Sequence, residues 1–269
     1  MLTDYHTHTF RCGHAVGTLR EYVESAIAKG IGEIGLTDHL YLYFLTPDKR
    51  DPRWAMPEEQ YRGHYEEMLA LREEYRDQVN VRVAVEADYL RGSEEKLGEI
   101  LSSYDFDFVL GSVHFLDDWL IDDPDQAHRY AQQDVTSIYR SYYERLKEAV
   151  ELDVFDLLAH FDLPKKFGFL PEEDLTSVVA ETLDAVRDHD IAIEVSTAGL
   201  RKPVGEIYPS LTILKEMKLR GIPIALSSDA HDPVEVGAAY DRSISLVRSV
   251  GYESIVVFDQ RKRREVPLG

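Results

Sequence analysis

Seven short, mostly apolar runs, at residues 2–8, 33–37, 81–85, 108–113, 154–159, 191–195 and 222–226, alternate with longer amphipathic stretches from one end of the chain to the other. A run that is apolar throughout, instead of at every second residue, is what a strand buried on both faces requires. Between these runs the apolar residues fall three or four apart, as at Leu19, Tyr22, Val23, Ala26 and Ile27, or at Leu175, Val178, Val179, Thr182, Leu183 and Val186. That is the stripe of a helix lying on a sheet. Strand and helix repeating in this order specify a parallel α/β sheet. Lys29-Gly30 and Gly221-Ile222-Pro223 close helices, while Pro171-Glu172-Glu173 and Pro233 read as first turns. Residues 41–57 form the longest loop, and a further run at 254–258 reads as an eighth strand or a terminal edge piece. With no linker or repeat, residues 1–269 are expected to form one domain, a (β/α) barrel of seven or eight strands. The alternative, an open doubly wound sheet, lacks the GxGxxG turn after its first strand.

The charge narrows the partners. Against 30 Lys and Arg stand 50 Asp and Glu, a formal net charge of −20, which disfavours nucleic acid and anionic membranes. An anionic small molecule would need a local positive site. No stretch approaches the roughly 18–20 apolar residues of a membrane span, and Met1-Leu2-Thr3-Asp4 lacks the pattern of a signal peptide, so a cytoplasmic location is expected. The single cysteine, Cys12, excludes an internal disulfide and a thiolate zinc cage; it is expected to be an ordinary free thiol near the mouth of the site.

Histidines and acids collect where the predicted strands end. His6 and His8 stand at i and i+2 of the first run and therefore share a face. His14 lies in the next loop, Asp38-His39 ends the second run, Glu86 the third, His114 the fourth and His160 the fifth, and Asp229-Ala230-His231 follows the seventh. The C-terminal ends of parallel barrel strands converge on one face, which makes these nine residues, His6, His8, His14, His39, Glu86, His114, His160, Asp229 and His231, candidate metal ligands. Imidazole and carboxylate donors suit Zn²⁺, Mn²⁺ or Fe, and nine of them exceed the needs of one ion, pointing to two or three. Asp4 and Asp38, beside candidate ligands, are expected to orient imidazoles from a second layer. Glu194 reads as a satisfied buried acid, and His64, His128 and His189 as residues of solvated helix faces.

Asp4-Tyr5-His6-Thr7-His8, Thr37-Asp38-His39, His114, His160 and Ser228-Asp229-Ala230-His231 resemble, in order and context, the motifs of the polymerase and histidinol phosphatase (PHP) superfamily. The resemblance covers almost the whole chain. Cys12-Gly13-His14-Ala15, Gly111-Ser112-Val113-His114-Phe115, His160-Phe161-Asp162-Leu163, the segment from Ser196-Thr197 to Arg201-Lys202 and Glu206-Ile207-Tyr208-Pro209 look like its histidinol-phosphate phosphatase branch. One departure is Glu194-Val195-Ser196-Thr197, where relatives often have Glu-Ile-Asn-Thr.

The resemblance implies a distorted (β/α)7 barrel with three divalent ions. One would take His6, His8, Glu86 and Asp229; a second would share Glu86 and add His114 and His160; a third would take His14, His39 and His231. Glu86, Asp229 and His231 would form the catalytic core. The implied reaction is hydrolysis of L-histidinol phosphate, a step of histidine biosynthesis, with another small phosphomonoester or a nucleotide as the alternative substrate. A non-catalytic module serving a nucleic-acid enzyme is disfavoured by the charge and by the lack of an attached polymerase domain. Arg201, in the segment after the sixth run, is expected to grip phosphate oxygens, with Lys165 and Lys166 as weaker candidates. Native metal, oligomeric state and general acid stay open.

Overall fold

A computed structural model describes residues 1–268. Seven strands, β1 (Thr3–Asp4), β2 (Glu33–Leu36), β3 (Asn80–Asp88), β4 (Phe108–Ser112), β5 (Leu157–Leu158), β6 (Ala192–Ser196) and β7 (Ile224–Ser227), pair in sequence order and all in parallel. The ring closes because the Tyr5 N–H donates to the Leu226 carbonyl at 3.3 Å and Thr7 bridges to Ala230. Closure leaves no free sheet edge, which decides for the barrel and against the doubly wound sheet.

The helices cover the outside: α1 (Leu19–Ala28), α2 (Glu58–Glu74), α3 (Glu94–Leu101), α4 (Val135–Val150), α5 (Thr176–Asp188), α6 (Leu211–Leu219) and α7 (Tyr240–Ser249). Thr18 and Glu21 form a reciprocal capping box at the start of α1, and Gly30, at φ +70°, turns the chain out of it. Helix α5 starts later than its sequence punctuation suggests, beyond Pro171-Glu172-Glu173, where Asp174 accepts the Thr176 N–H at 2.8 Å. Among the described residues no helix is long and apolar enough to cross a membrane.

The eighth run is not a barrel strand. It becomes β8 (Ser254–Asp259), paired antiparallel with β9 (Lys262–Pro267), and the hairpin plugs the N-terminal end of the barrel. Phe258 packs 6.0 Å from the Tyr5 ring and 5.5 Å from that of Phe108, while the N–H groups of Gln260 and Arg261 reach Asp107. At the opposite end, the loop 41–57 folds over a short hairpin (Phe115–Leu116 with Trp119–Leu120), and Leu42, Ala55, Phe115 and Leu120 make a small core of their own.

Strand and outer layer leave no slack at Gly111. A Cβ there would lie 2.5 Å from Cγ of Phe155, and neither the strand nor the buried ring can retreat. Gly111→Ala is therefore expected to cost about 1–3 kcal/mol of unfolding free energy, as overpacked cores do, read by urea denaturation; a neutral result would mean that the Phe155 ring can move aside.

Candidate metal centre and active site

The candidate ligands come from the C-terminal ends of six strands and two loops. His6 and His8 follow β1, His39 bridges to Glu86 as β2 leaves the sheet, and Glu86 itself sits within β3. His114, His160 and Asp229 each lie two residues beyond β4, β5 and β7. Asp229 holds a left-handed backbone (φ +48°), tolerated by aspartate better than by most residues.

Glu86 organises the cluster, because its two oxygens face two different sets of imidazoles. Oε2 lies 2.8 Å from His39 Nδ1, 3.2 Å from His6 Nε2 and 3.4 Å from His8 Nε2. Oε1 lies 3.2 Å from His160 Nε2 and 3.6 Å from His114 Nε2, and these two imidazole nitrogens are 3.1 Å apart. Asp229 Oδ1 completes the first set at 3.3 Å from His8 Nε2 and 3.6 Å from His6 Nε2. The ring of His14 is 5.5 Å from that of His39 and 4.9 Å from that of His231, and one nitrogen each of His8, His39 and His231 converge within 4.8 Å. His14 Nδ1 donates to the carbonyls of Cys12 (3.0 Å) and Arg53 (2.8 Å), which leaves its Nε2 for a ligand.

The protonation states suit metal binding at most of these groups. Burial, helped by the charge of His39, pushes His8 down to about 4, and burial also lowers His14 and His231, so these rings present lone pairs near neutral pH. Burial opposes ionisation of Glu86 and Asp229, yet the surrounding imidazoles, His6 foremost, outweigh it and hold both carboxyls well below the usual range. For His6 and His114 burial is overcome by neighbouring carboxylates, which favour a proton that a cation would displace. His6 Nε2, both ring nitrogens of His8 and Glu86 Oε2 are buried and make no well-formed hydrogen bond among the described residues, although the imidazole nitrogens crowd Glu86 Oε2. Orphaned buried acceptors on a wholly nitrogen and oxygen donor set are what a bound metal would satisfy, so the residues fit a metal cofactor.

The acids that orient the imidazoles differ from those expected. Asp4 accepts from the N–H and hydroxyl of Ser228 (2.8 and 2.5 Å) and from the Gly237 N–H; Asp38 accepts from the N–H and hydroxyl of Thr9 (2.6 and 2.8 Å). Neither hydrogen-bonds to a candidate ligand's ring: Asp38 points away from the adjacent His39, as neighbouring side chains on an extended chain do, and Asp4 is engaged by Ser228 and Gly237. The orienting groups come instead from other strands. Glu194 accepts His6 Nδ1–H at 3.0 Å and the His160 N–H at 2.7 Å, and Asp88 accepts His114 Nδ1–H at 2.9 Å. His64 is fully buried, with Nε2 3.1 Å from Asp38, in place of the solvated position expected; His128 is exposed and His189 partly so. Cys12 is free but wholly buried, and burial raises its thiol to about 12.

Above the cluster opens a cavity of about 290 Å³, lined by ligand candidates and by Trp54, Asp122, Pro124, Leu163, Lys166, Lys202 and Tyr208. Arg201 and Lys165 are not in its wall. Arg201 Nη2 donates to the carbonyls of Ser228 (2.8 Å) and Asp229 (3.0 Å), and its Nε pairs with Glu235 at 3.0 Å. Lys165 is buried on Asp162, Glu206 and the Ile207 carbonyl. The cations that reach the cavity are Lys166, held by Asp122, and Lys202, which sequence reading passed over. A second basic residue directly after Arg201 was the available signal.

The PHP domain model matches residues 4–198. Over 261 residues, covering 97% of this chain and 98% of the relative, the chain is 38% identical to a probable histidinol-phosphatase of Deinococcus radiodurans. It is 30% identical over 262 residues, with 88% and 96% covered, to the histidinol-phosphatase of Bacillus subtilis. The crystal structure of the histidinol phosphate phosphatase of Lactococcus lactis, complexed with zinc, L-histidinol and phosphate, shares the fold, with a TM-score of 0.82, 22% identity and 98% of both chains covered. A family match over most of the chain, together with relatives covered almost end to end, places this protein in the PHP family, in its histidinol-phosphatase branch.

Proposed function

We propose that this protein hydrolyses L-histidinol phosphate to L-histidinol and phosphate at a centre of three divalent ions. The observation that carries the reading is the double-faced Glu86 beneath a cavity that Lys166 and Lys202 reach, in a chain 38% identical over nearly its full length to a probable histidinol-phosphatase. His6, His8, Glu86 and Asp229 would hold one ion, Glu86, His114 and His160 a second, and His14, His39 and His231 a third. Divalent ions held by these residues would supply positive charge for a phosphate ester and lower the pKa of water toward neutrality.

The chain's own residues do the rest. Lys166 and Lys202 bind the outer phosphoryl oxygens, offsetting locally the overall charge of −20. Trp54, Pro124 and Leu163 give the organic half an apolar wall and exclude water from the reacting end, while Asp122 offers a carboxylate to a cationic substrate group. Glu194 and Asp88 fix the tautomers of His6 and His114 by holding their Nδ1 protons, so that Nε2 of each ring faces Glu86. Arg201, through the carbonyls of Ser228 and Asp229, acts as a positioning residue.

Phosphate release from a panel of phosphomonoesters, with enzyme loaded separately with Zn²⁺, Mn²⁺ and Fe²⁺, tests the substrate. L-Histidinol phosphate is expected to give the highest kcat/KM; equal or better turnover of a simple alkyl phosphate would shift the reading to a general phosphomonoesterase. Elemental analysis of protein purified without chelator should find more than one equivalent of transition metal per chain. One equivalent or less, with full activity insensitive to added metal, would contradict a multinuclear centre.

A further inference from the structure

Tyr208 is buried to 1% exposure in the cavity wall, and its hydroxyl has no hydrogen-bond partner among the described residues. A buried hydroxyl with nothing to bond is costly and uncommon. The expense is unexplained by packing, since a phenylalanine would fill the same volume. It is explained if the hydroxyl is kept for a ligand.

The surroundings say which kind of ligand atom. Tyr208 shares the cavity wall with His160, Asp229, Lys166 and Lys202, and its ring meets that of His160 edge-on at 6.5 Å. The Lys165 ammonium stands 5.2 Å over the centre of the tyrosine ring. Lys165 is neutralised by Asp162 and Glu206, but Lys166, paired with Asp122, and Lys202 bring ammonium groups to the same cavity wall, where an anionic acceptor would meet them. A phenol is protonated near neutral pH and offers its O–H as a donor.

The placement of the ring is rigid. Ser196, at the end of β6, and Tyr208 exchange both backbone hydrogen bonds, at 2.7 and 3.0 Å. Lys165 donates to Glu206 Oε2 (2.6 Å) and to the Ile207 carbonyl (2.8 Å), clamping the residues just before it. Gly199 allows the close approach, for a Cβ there would lie 2.0 Å from the Glu206 carbonyl oxygen. The lysine that sequence reading considered as a phosphate ligand is thus used to hold a tyrosine.

We infer that Tyr208 is a substrate-binding residue whose hydroxyl donates a hydrogen bond to a phosphoryl oxygen of the bound ester and of product phosphate. The inference rests on the proposed phosphomonoesterase reading but not on the identity of the alcohol. The substrate panel above tests that identity with wild-type enzyme, whereas the test here reads the phosphate half alone.

Tyr208→Phe removes only the oxygen. In metal-loaded enzyme, titration with inorganic phosphate should show affinity weakened by about tenfold, with kcat/KM lowered by a similar factor, because one hydrogen bond to a charged acceptor is lost. Metal content and the affinity for L-histidinol, measured on the same preparation, should match wild type, which shows that the variant is folded. Unchanged phosphate affinity would overturn the inference. So would a loss confined to L-histidinol, which would put the hydroxyl on the organic half, or a loss of metal, which would make the tyrosine a support of the metal ligands.

Discussion

Glu86→Gln should lower kcat by on the order of a hundredfold or more and leave the purified protein depleted of metal. Glu86 is the one carboxylate whose two oxygens face different imidazole sets, Oε2 toward His6, His8 and His39 and Oε1 toward His114 and His160. Glutamine has nearly the same shape but differs in two ways that matter. It removes a negative charge that two cations would share, and it puts an NH₂ group, which only donates, where one of the oxygens stood. Whichever way the amide turns, one of the two sets loses its acceptor. Both metal content and kcat are read, because a purely electrostatic role would spare the first and damage the second. A Glu86→Gln enzyme that is metal-replete and active would show that Glu86 joins no pair of ions.

How much of this was legible in the sequence depends on whether the information is local. Each strand announces itself by a buried run, and each candidate ligand stands at the end of such a run, so the barrel and the face carrying the cluster can be read residue by residue. Partners across strands cannot. Glu194 and Asp88 orient imidazoles more than 25 positions away, through strand pairing that leaves no mark around either acid. Asp4 and Asp38 stand near candidate ligands in sequence, but their partners, Ser228 and Thr9, come from other segments, which the local sequence does not reveal. His64 had a usable signal. Together with Tyr61, Met68 and Leu71 it falls on the buried stripe of α2, in a helix otherwise so charged that the stripe is easy to miss. The run at 254–258 looks like a barrel strand because its outer face is covered by the barrel's own aromatic floor; only its antiparallel partner tells it apart.

Arg201 and Lys202 are neighbours in sequence with opposite roles, and their alanine variants should separate accordingly. Lys202 lines the cavity, and burial, aided by the nearby charges of Lys166 and Arg201, lowers its ammonium from the ordinary lysine value. A phosphate dianion placed there relieves that repulsion and gains a charge-assisted contact, so Lys202→Ala should reduce kcat/KM by about tenfold to a hundredfold. The loss should fall mainly on KM and on inhibition by phosphate, with metal content intact. The sign of the pH effect follows: a lowered lysine loses its charge earlier as pH rises, so wild-type kcat/KM falls on the alkaline side through that ionisation, and Lys202→Ala lacks this limb. Arg201 instead ties together two candidate ligands. Its Nη2 holds the Ser228 and Asp229 carbonyls, and its Nε holds Glu235, whose other oxygen accepts the His231 N–H at 3.0 Å. Arg201→Ala releases Asp229 and His231 together and should cost roughly ten- to a hundredfold in metal affinity or kcat, as loss of groups that orient ligands does. Arg201→Lys should recover only part, because one ammonium cannot span two carbonyls and a carboxylate in the fixed geometry of a guanidinium. The opposite pattern, with wild-type KM in Lys202→Ala and a raised KM with full metal content in Arg201→Ala, would move the phosphate contact back to the arginine, where its position after the sixth strand first suggested it.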